Sequence, residues 1–295
     1  ATLLSTMWEG NAAAAVPLDC PRLQGAKPVI INVTAELFNQ EGSVQVATGG
    51  GGGASTAPSL LPVLTISRCH ISTVVTFFFV PLEVHQLVIF DGVELSGVGT
   101  ILLDTANGVA SRISISLFNC SVHTSAAVFL SWRATSANDL AFIVEDSNVS
   151  VTDPTSIASA LCIQTVNTGS ASANASVVNW MIRRSSVRVL GSTESCCAAL
   201  TGPMGLVTNI QMFSDRSVLE AIASRGTAVA IGMRFTSTST ISTVDTWSAT
   251  AILTNVTATS GGGDASVLAI LRTNVALAIV IGNIWLLADR SSLLS

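Results

Sequence analysis

The stretch Leu140–Val151, LAFIVEDSNVSV, decides how the rest of the chain is read. Leu140, Phe142 and Val144 stand at every second position, the period of a strand with one buried face. A short polar break follows at Glu145–Asn148, and Val149 and Val151 then restart the alternation. Related segments recur: LTISRCHIST (64–73), VIFDGVELSG (88–97), ISISLFNCSVHT (113–124), VNWMIRRSSVRV (178–189), IQMFSDRSVLE (210–220), AILTNVTATS (251–260) and LAIVIGNIWLL (277–287). Aligned on the apolar residue after the break, they give the anchors Ile71, Val93, Val122, Val149, Val187, Val218, Val256 and Ile284. A weaker copy around Ile241 lies too near Val256 to be a full turn of its own.

A unit repeated at intervals of about 20 to 40 residues marks a solenoid. Since the period inside each unit is two, the expected fold is all-β, a parallel β-helix with coils of about 30 residues. The usual chirality of parallel connections makes it right-handed. Val, Ile and Leu then stack inward from coil to coil, while Ser, Thr and Asn face outward or turn corners. Two positions before the anchor the residues are small and mostly polar (Cys69, Cys120, Ser147, Ser185), with Arg216 as the exception. Three positions before it, Asp146, Arg184 and Asp215 alternate in sign and predict a charged ladder up one corner. Such exposed pairs contribute only about 0–1 kcal/mol each and mark register.

Outside the repeats, residues 1–28 are expected to form a cap, with a short helix around Met7–Ala15 ended by Pro17. Residues 29–295 form the stack, beginning with two strands around a turn at Glu41–Gly42. Gly49–Gly53 reads as a flexible loop, because the lysine that a phosphate loop needs is missing. Gly261–Gly263 reads as a smaller loop of the same kind. Two segments resist the pattern. Ser217–Ala230 is open to a short helix capped by Ser217. Val267–Ala288 is apolar enough to raise a membrane span, but Arg272 and Asn274 interrupt it, which favours a buried strand at the end of the stack. The chain reads as a mature chain or a fragment of something longer.

The composition excludes several functions. With 49% hydrophobic residues the chain has ample apolar surface to offset its entropy. Its net charge of −5, spread without any basic stripe, makes nucleic acid and anionic lipid poor partners. The six cysteines (Cys20, Cys69, Cys120, Cys162, Cys196, Cys197) include no C-x-x-C pair, so no zinc or redox signature is present and no cofactor is expected. Vicinal Cys196–Cys197 either bridges to Cys162 or Cys20 or consists of small buried hydrophobes.

The best carboxylate pairs are Glu145–Asp146 and Asp91/Glu94, but adjacent strand residues point to opposite faces and do not converge on a sugar. His70, His85 and His123 match no metal spacing and read as structural or surface residues. No catalytic motif emerges. Five N-x-S/T sequons, at Asn32, Asn119, Asn148, Asn174 and Asn255, are candidate glycosylation sites if the chain is extracellular; Asn148 and Asn255 fall immediately before anchors.

The phrases SNVSV (147–151), FNCSVHT (118–124) and LTNVTATSGGG (253–263), on an Ala/Val/Ser/Thr-rich background, resemble kinetoplastid surface proteins of the dispersed gene family and related membrane-associated proteins. The resemblance spans roughly residues 60–290. It implies a parallel β-helix ectodomain, anchored if at all by membrane segments outside this chain, and it supplies no catalytic residues. The expected function is a non-enzymatic cell-surface or secreted module with an adhesive or structural role, its partners host or matrix glycans or surface proteins. The alternative is a β-helix polysaccharide lyase or glycoside hydrolase, although the Asp-pair and Arg/Lys motifs of those families are missing here. A membrane-protein fragment is the third reading.

Overall fold

The computed structural model describes residues 29–33, 43–45, 60–79, 85–104, 109–165, 173–236, 241–272 and 278–295. Every regular element among them is a strand, and the strands assemble into three sheets that the chain visits in rotation, as in a parallel β-helix. Sheet 1 runs through Leu60–Ser67, Gln86–Asp91, Val109–Phe118, Ser136–Glu145, Ala173–Arg183, Met204–Asp215, Ile241–Ile252 and Ala278–Asp289. Sheet 2 holds His70–Ile71, Glu94–Gly97, Ser121–Thr124, Asn148–Asp153, Ser186–Gly191, Val218–Ala223, Asn255–Ser260 and Ser292–Leu294. Sheet 3 holds Val29–Val33, Val74–Phe79, Thr100–Asp104, Val128–Ala134, Ile157–Thr165, Glu194–Gly202, Thr227–Phe235 and Ala265–Arg272. Pairing between successive strands is parallel; Ser43–Gln45 alone adds antiparallel, to Leu60–Pro62 at the start of sheet 1.

The core is a set of apolar columns along the stack. In sheet 1, Leu64, Val88, Ile115, Phe142, Trp180, Met212 and Ala249 occupy equivalent positions and are all buried. In sheet 2 the column is Ile71, Leu95, Val122, Val149, Val187, Leu219, Val256 and Leu293. Five expected anchors hold this position. Val93 lies two residues early, in the corner. Val218 lies one residue early and is exposed, and Ile284 belongs to sheet 1.

The corner between sheets 1 and 2 explains the polar break. At Arg68, Asn119, Asp146, Arg184, Arg216, Leu253 and Arg290 the backbone turns through the left-handed region, with φ between 46° and 53°, and Gly92 does the same at 62°. This conformation aims each amide at the next coil: Asn119 N donates to Glu145 O, Asp146 N to Arg183 O and Arg184 N to Asp215 O. The following amide points inward, away from any ladder carbonyl, and a side-chain oxygen of the next coil accepts it. Cys120 N donates to Ser147 Oγ (3.0 Å), Ser147 N to Ser185 Oγ (3.0 Å), Ser185 N to Ser217 Oγ (3.3 Å), Ser217 N to Thr254 Oγ1 (3.4 Å) and Thr254 N to Ser291 Oγ (3.0 Å). The small polar residues of the break thus form a buried relay that satisfies the inward amides of the turn.

A second left-handed column crosses sheet 1 at Arg112, Asp139, Val177 and Asn209, with φ between 52° and 57°. Val177 is ill suited to it, because a β-branched side chain with positive φ is strained, whereas Asn tolerates this region. Val177 is 40% exposed, so its side chain contributes little packing. Val177→Asn, copying Asn209 one coil on, is expected to raise stability by about 1 kcal/mol, read as an increase in Tm.

The structure corrects several expectations. Ser217–Ala230 contains no helix; its residues lie in Val218–Ala223 and Thr227–Phe235. The 29–48 segment does give two strands, but Val29–Val33 joins sheet 3 and Ser43–Gln45 joins sheet 1, so they do not pair with each other. Gly261–Gly263 is an ordered turn: Ser260 Oγ accepts from Gly263 N at 2.7 Å. A Cβ at Gly261 would stand 2.4 Å from Ser224 O, so glycine permits the close stacking of successive turns. Val267–Ala288 contributes strands, yet Ala278–Asp289 is not buried: Trp285 is 64% and Leu287 59% exposed on the last coil. No helix among the described residues is long and apolar enough to cross a membrane. The cap at 1–28 and the loop at 49–53 lie outside the described residues.

Candidate functional site

Three surfaces follow from this frame. The first is the charged corner. Asp146 and Arg184 occupy neighbouring coils of the left-handed column, and Arg184 Nε lies 2.7 Å from Asp146 Oδ1. Glu145 also accepts from Arg184. The Arg184 hydrogen bonds hold the Asp146 carboxyl below its usual value. Asp215 does not continue this ladder. It stands one position earlier, in register with Arg183, and pairs with its own neighbour Arg216 at 3.2 Å. Arg183 lies over the Phe213 ring, 5.6 Å from its centroid. The expected alternation is therefore a two-coil pair, and the Arg216 slot is the one the sequence alignment shifted. The second carboxylate pair is divided by the Gly92 corner, with Glu94 facing His70 Nδ1 at 3.8 Å.

The second surface is the outer face of sheet 2. Register places Ser121, Asn148, Ser186, Val218, Asn255 and Ser292 in one outward column, followed by His123, Ser150, Arg188, Glu220 and Thr257 in the next. Asn148 and Asn255 are exposed here, and Asn119 is exposed at the adjoining corner. Asn255 Oδ1 accepts from Ser292 Oγ at 2.8 Å. Asn174 is exposed at the start of a sheet 1 strand, and Asn32 falls in Val29–Val33.

The third is a groove on the outside of sheet 3, missed from the sequence. Ala160 and Leu161 both face the core, as do Cys197 and Ala198, and Ala230 and Ile231. Each strand therefore bends between two inward residues, and the outward neighbours lean together across the bend. A cavity of about 220 Å³ results, floored by Ser131, Ser159, Cys162, Cys196 and Gly232. Glu194 and Arg234 close one side as an ion pair. Its chemistry is mostly apolar. Among the described residues, the one carboxylate that lines it, Glu194, is matched by a guanidinium, and no second acid stands opposite it as glycoside hydrolysis would need.

Cys69 is disulfide-bonded. Cys120, Cys162, Cys196 and Cys197 are buried free thiols, so the vicinal pair does not bridge to Cys162 or Cys20. Burial pushes the Cys120 thiol up to about 11 and Cys162 up to about 12, and raises Cys196 and Cys197 as well. Since the thiolate is the nucleophile, these four are expected to be inert to a disulfide reagent at pH 8. Ellman titration should count none of them in the native chain and all four in guanidinium.

Among the histidines, His123 is exposed and His70 Nε2 meets Ser96 Oγ at 3.2 Å. His85 immediately precedes Gln86, which pairs with Ile113, so it stands one coil before Arg112 and Asp139, the first two residues of the second left-handed column. Its Nε2 is 2.8 Å from Ser114 Oγ and its Nδ1 is 3.7 Å from Asp139 Oδ2. No group of three or more His, Cys, Asp and Glu among the described residues is placed to hold a metal ion. These features define a class, an all-β protein of stacked parallel strands with functional groups on its outer faces. No family model, no curated protein and no solved structure matches the chain.

Proposed function

We propose that this chain is an adhesive or structural module of a secreted or cell-surface protein, a right-handed parallel β-helix with coils of about 30 residues and a cap at 1–28. The observation that carries the reading is the outer face of sheet 2, where hydroxyl and amide side chains recur in register from Ser121 to Ser292, interrupted at Val218 and flanked by the Arg188–Glu220 ion pair. A flat face of such groups at the strand spacing of about 4.8 Å suits hydrogen bonding to an extended glycan or protein surface. Exposed sequons at Asn119 and Asn174, off that face, and the Cys69 disulfide agree with passage through an oxidising secretory compartment. The likeness of 147–151, 118–124 and 253–263 to dispersed-gene-family surface proteins points the same way. The polysaccharide-enzyme alternative gains no support from the groove or the corner, since Glu145, Asp146 and Glu194 are each matched by an arginine.

A glycan array and a cell-binding assay with the chain secreted from a eukaryotic host test this reading. Binding that falls when Ser150 and Thr257 are both changed to Glu is the expected result. Binding unaffected by those changes, or release of sugar from a polysaccharide panel, would overturn it.

A further inference from the structure

The trio at His85 does more than fill the surface of sheet 1. Three coils contribute one residue each. His85 precedes the Gln86–Asp91 strand, Ser114 lies on Val109–Phe118 and Asp139 on Ser136–Glu145. Ser114 is 1% exposed although register puts it beside outward-facing Leu87 and Ala141. Around it Ser116, Ala141 and Ile143 are also buried, which gives the hydroxyl a small, weakly solvated setting. His85 remains about a third exposed at its side chain, and Asp139 about half. The two ring nitrogens have different partners, Nε2 facing the serine and Nδ1 the carboxylate. That division of roles lets a neutral imidazole accept a proton from a hydroxyl while a carboxylate 3.7 Å away favours the imidazolium that forms.

We infer that Ser114, His85 and Asp139 form a reactive-serine site that cleaves small acyl esters. This goes beyond the surface role, and the site shares no residue with the outer face of sheet 2. Ser114 Oγ attacks the acyl carbon and forms the new C–O bond while its proton passes to His85 Nε2. The tetrahedral adduct then breaks the bond to the leaving alkoxide, which takes that proton, and an acylated serine remains. Water repeats the second half: His85 removes its proton, its oxygen joins the acyl carbon, and the carboxylic acid leaves as Ser114 regains its hydrogen. Ser114 and His85 are the catalytic residues. Asp139 is a positioning residue. Arg112, one coil on from His85, adds a positive charge near the imidazole.

Burial lowers the His85 pKa below 6.5; Asp139 opposes this and Arg112 adds to it, so the ring is neutral and ready as a base at pH 7. The test is labelling of the full chain by a small alkyl fluorophosphonate, with the modified residue located by mass spectrometry. The expected result is an adduct on Ser114 whose rate climbs with pH and levels off above a midpoint below 6.5. His85→Gln should slow labelling by about 10²–10⁴-fold. Asp139→Asn should slow it less and move the midpoint to lower pH, because the carboxylate charge it removes raises the His85 pKa; Asp139→Glu, which keeps the charge, should restore both rate and midpoint. No adduct at Ser114, or one that forms at a pH-independent rate, would overturn the site from the unaltered chain alone. An adduct insensitive to His85→Gln in a protein with unchanged circular dichroism would do the same.

Discussion

Phe142→Ala is expected to destabilise the chain by about 3–5 kcal/mol, the largest effect of any single substitution considered. Phe142 is 1% exposed, lies between Ile115 and Trp180 in the sheet 1 column, and meets the Trp132 ring at 6.5 Å between centroids. Removing the ring loses its transfer free energy and leaves a cavity whose walls belong to three coils. Because the neighbouring strands are hydrogen-bonded in register on both sides, the walls cannot collapse freely into the space. Phe142→Leu, which keeps most of the volume, should cost far less. Chemical denaturation of the two variants checks this: equal losses would mean that the column is not packed as described.

Ser185→Ala is expected to cost about 1–3 kcal/mol, a large loss for the removal of one oxygen atom. Ser185 is 5% exposed; its Oγ accepts from Ser147 N and donates to Arg183 O at 2.6 Å. Alanine leaves the Ser147 amide buried without an acceptor, and that desolvation exceeds the net worth of the hydrogen bond itself. Ser185→Thr keeps the oxygen, as Thr254 does at the equivalent corner, and should restore most of the stability. The relay predicts that Ser147→Ala and Ser217→Ala behave alike, with less than additive losses when adjacent members are combined. A threonine variant no better than alanine would show that volume, and not the acceptor, matters at this corner.

Much of this was legible because a period-two pattern leaves little freedom. Leu140, Phe142, Val144, Val149 and Val151 are all buried, as the alternation requires. The small residues two positions before the anchor were visible as a corner, although their role as acceptors for inward amides was not. The left-handed column has no residue-type signature: it holds Arg, Gly, Asn, Asp and Leu, since the backbone is set by the coil above and below and the side chains point to solvent. Register slipped where local apolarity was ambiguous. In VIFDGVELSG, Val93 follows the turn as an anchor would, yet Leu95 fills the column. In SDRSVLE, the same slip took Val218 for Leu219 and moved Asp215 into a slot held by Arg216. In AIVIGNIWLLAD, Gly282–Asn283 mimics the polar break, but the strand runs on to Asp289 and the corner falls at Arg290, so Ile284 belongs to sheet 1 and Leu293 fills the column. The sheet 3 groove and the Ser114–His85–Asp139 trio were hidden because each gathers residues from different coils, and only the stacking brings them together.

The central claim, that widely separated segments stack one coil apart in register, is tested by pulsed electron–electron double resonance between nitroxides at His123→Cys and Thr257→Cys. These residues belong to one outward column, linked through Ser150, Arg188 and Glu220. Four steps of about 4.8 Å place their backbones about 19 Å apart. The native thiols are buried and stay unlabelled. A narrow distribution centred near 20 Å is the predicted result, and a broad one, or a mean beyond about 30 Å, would contradict the stack.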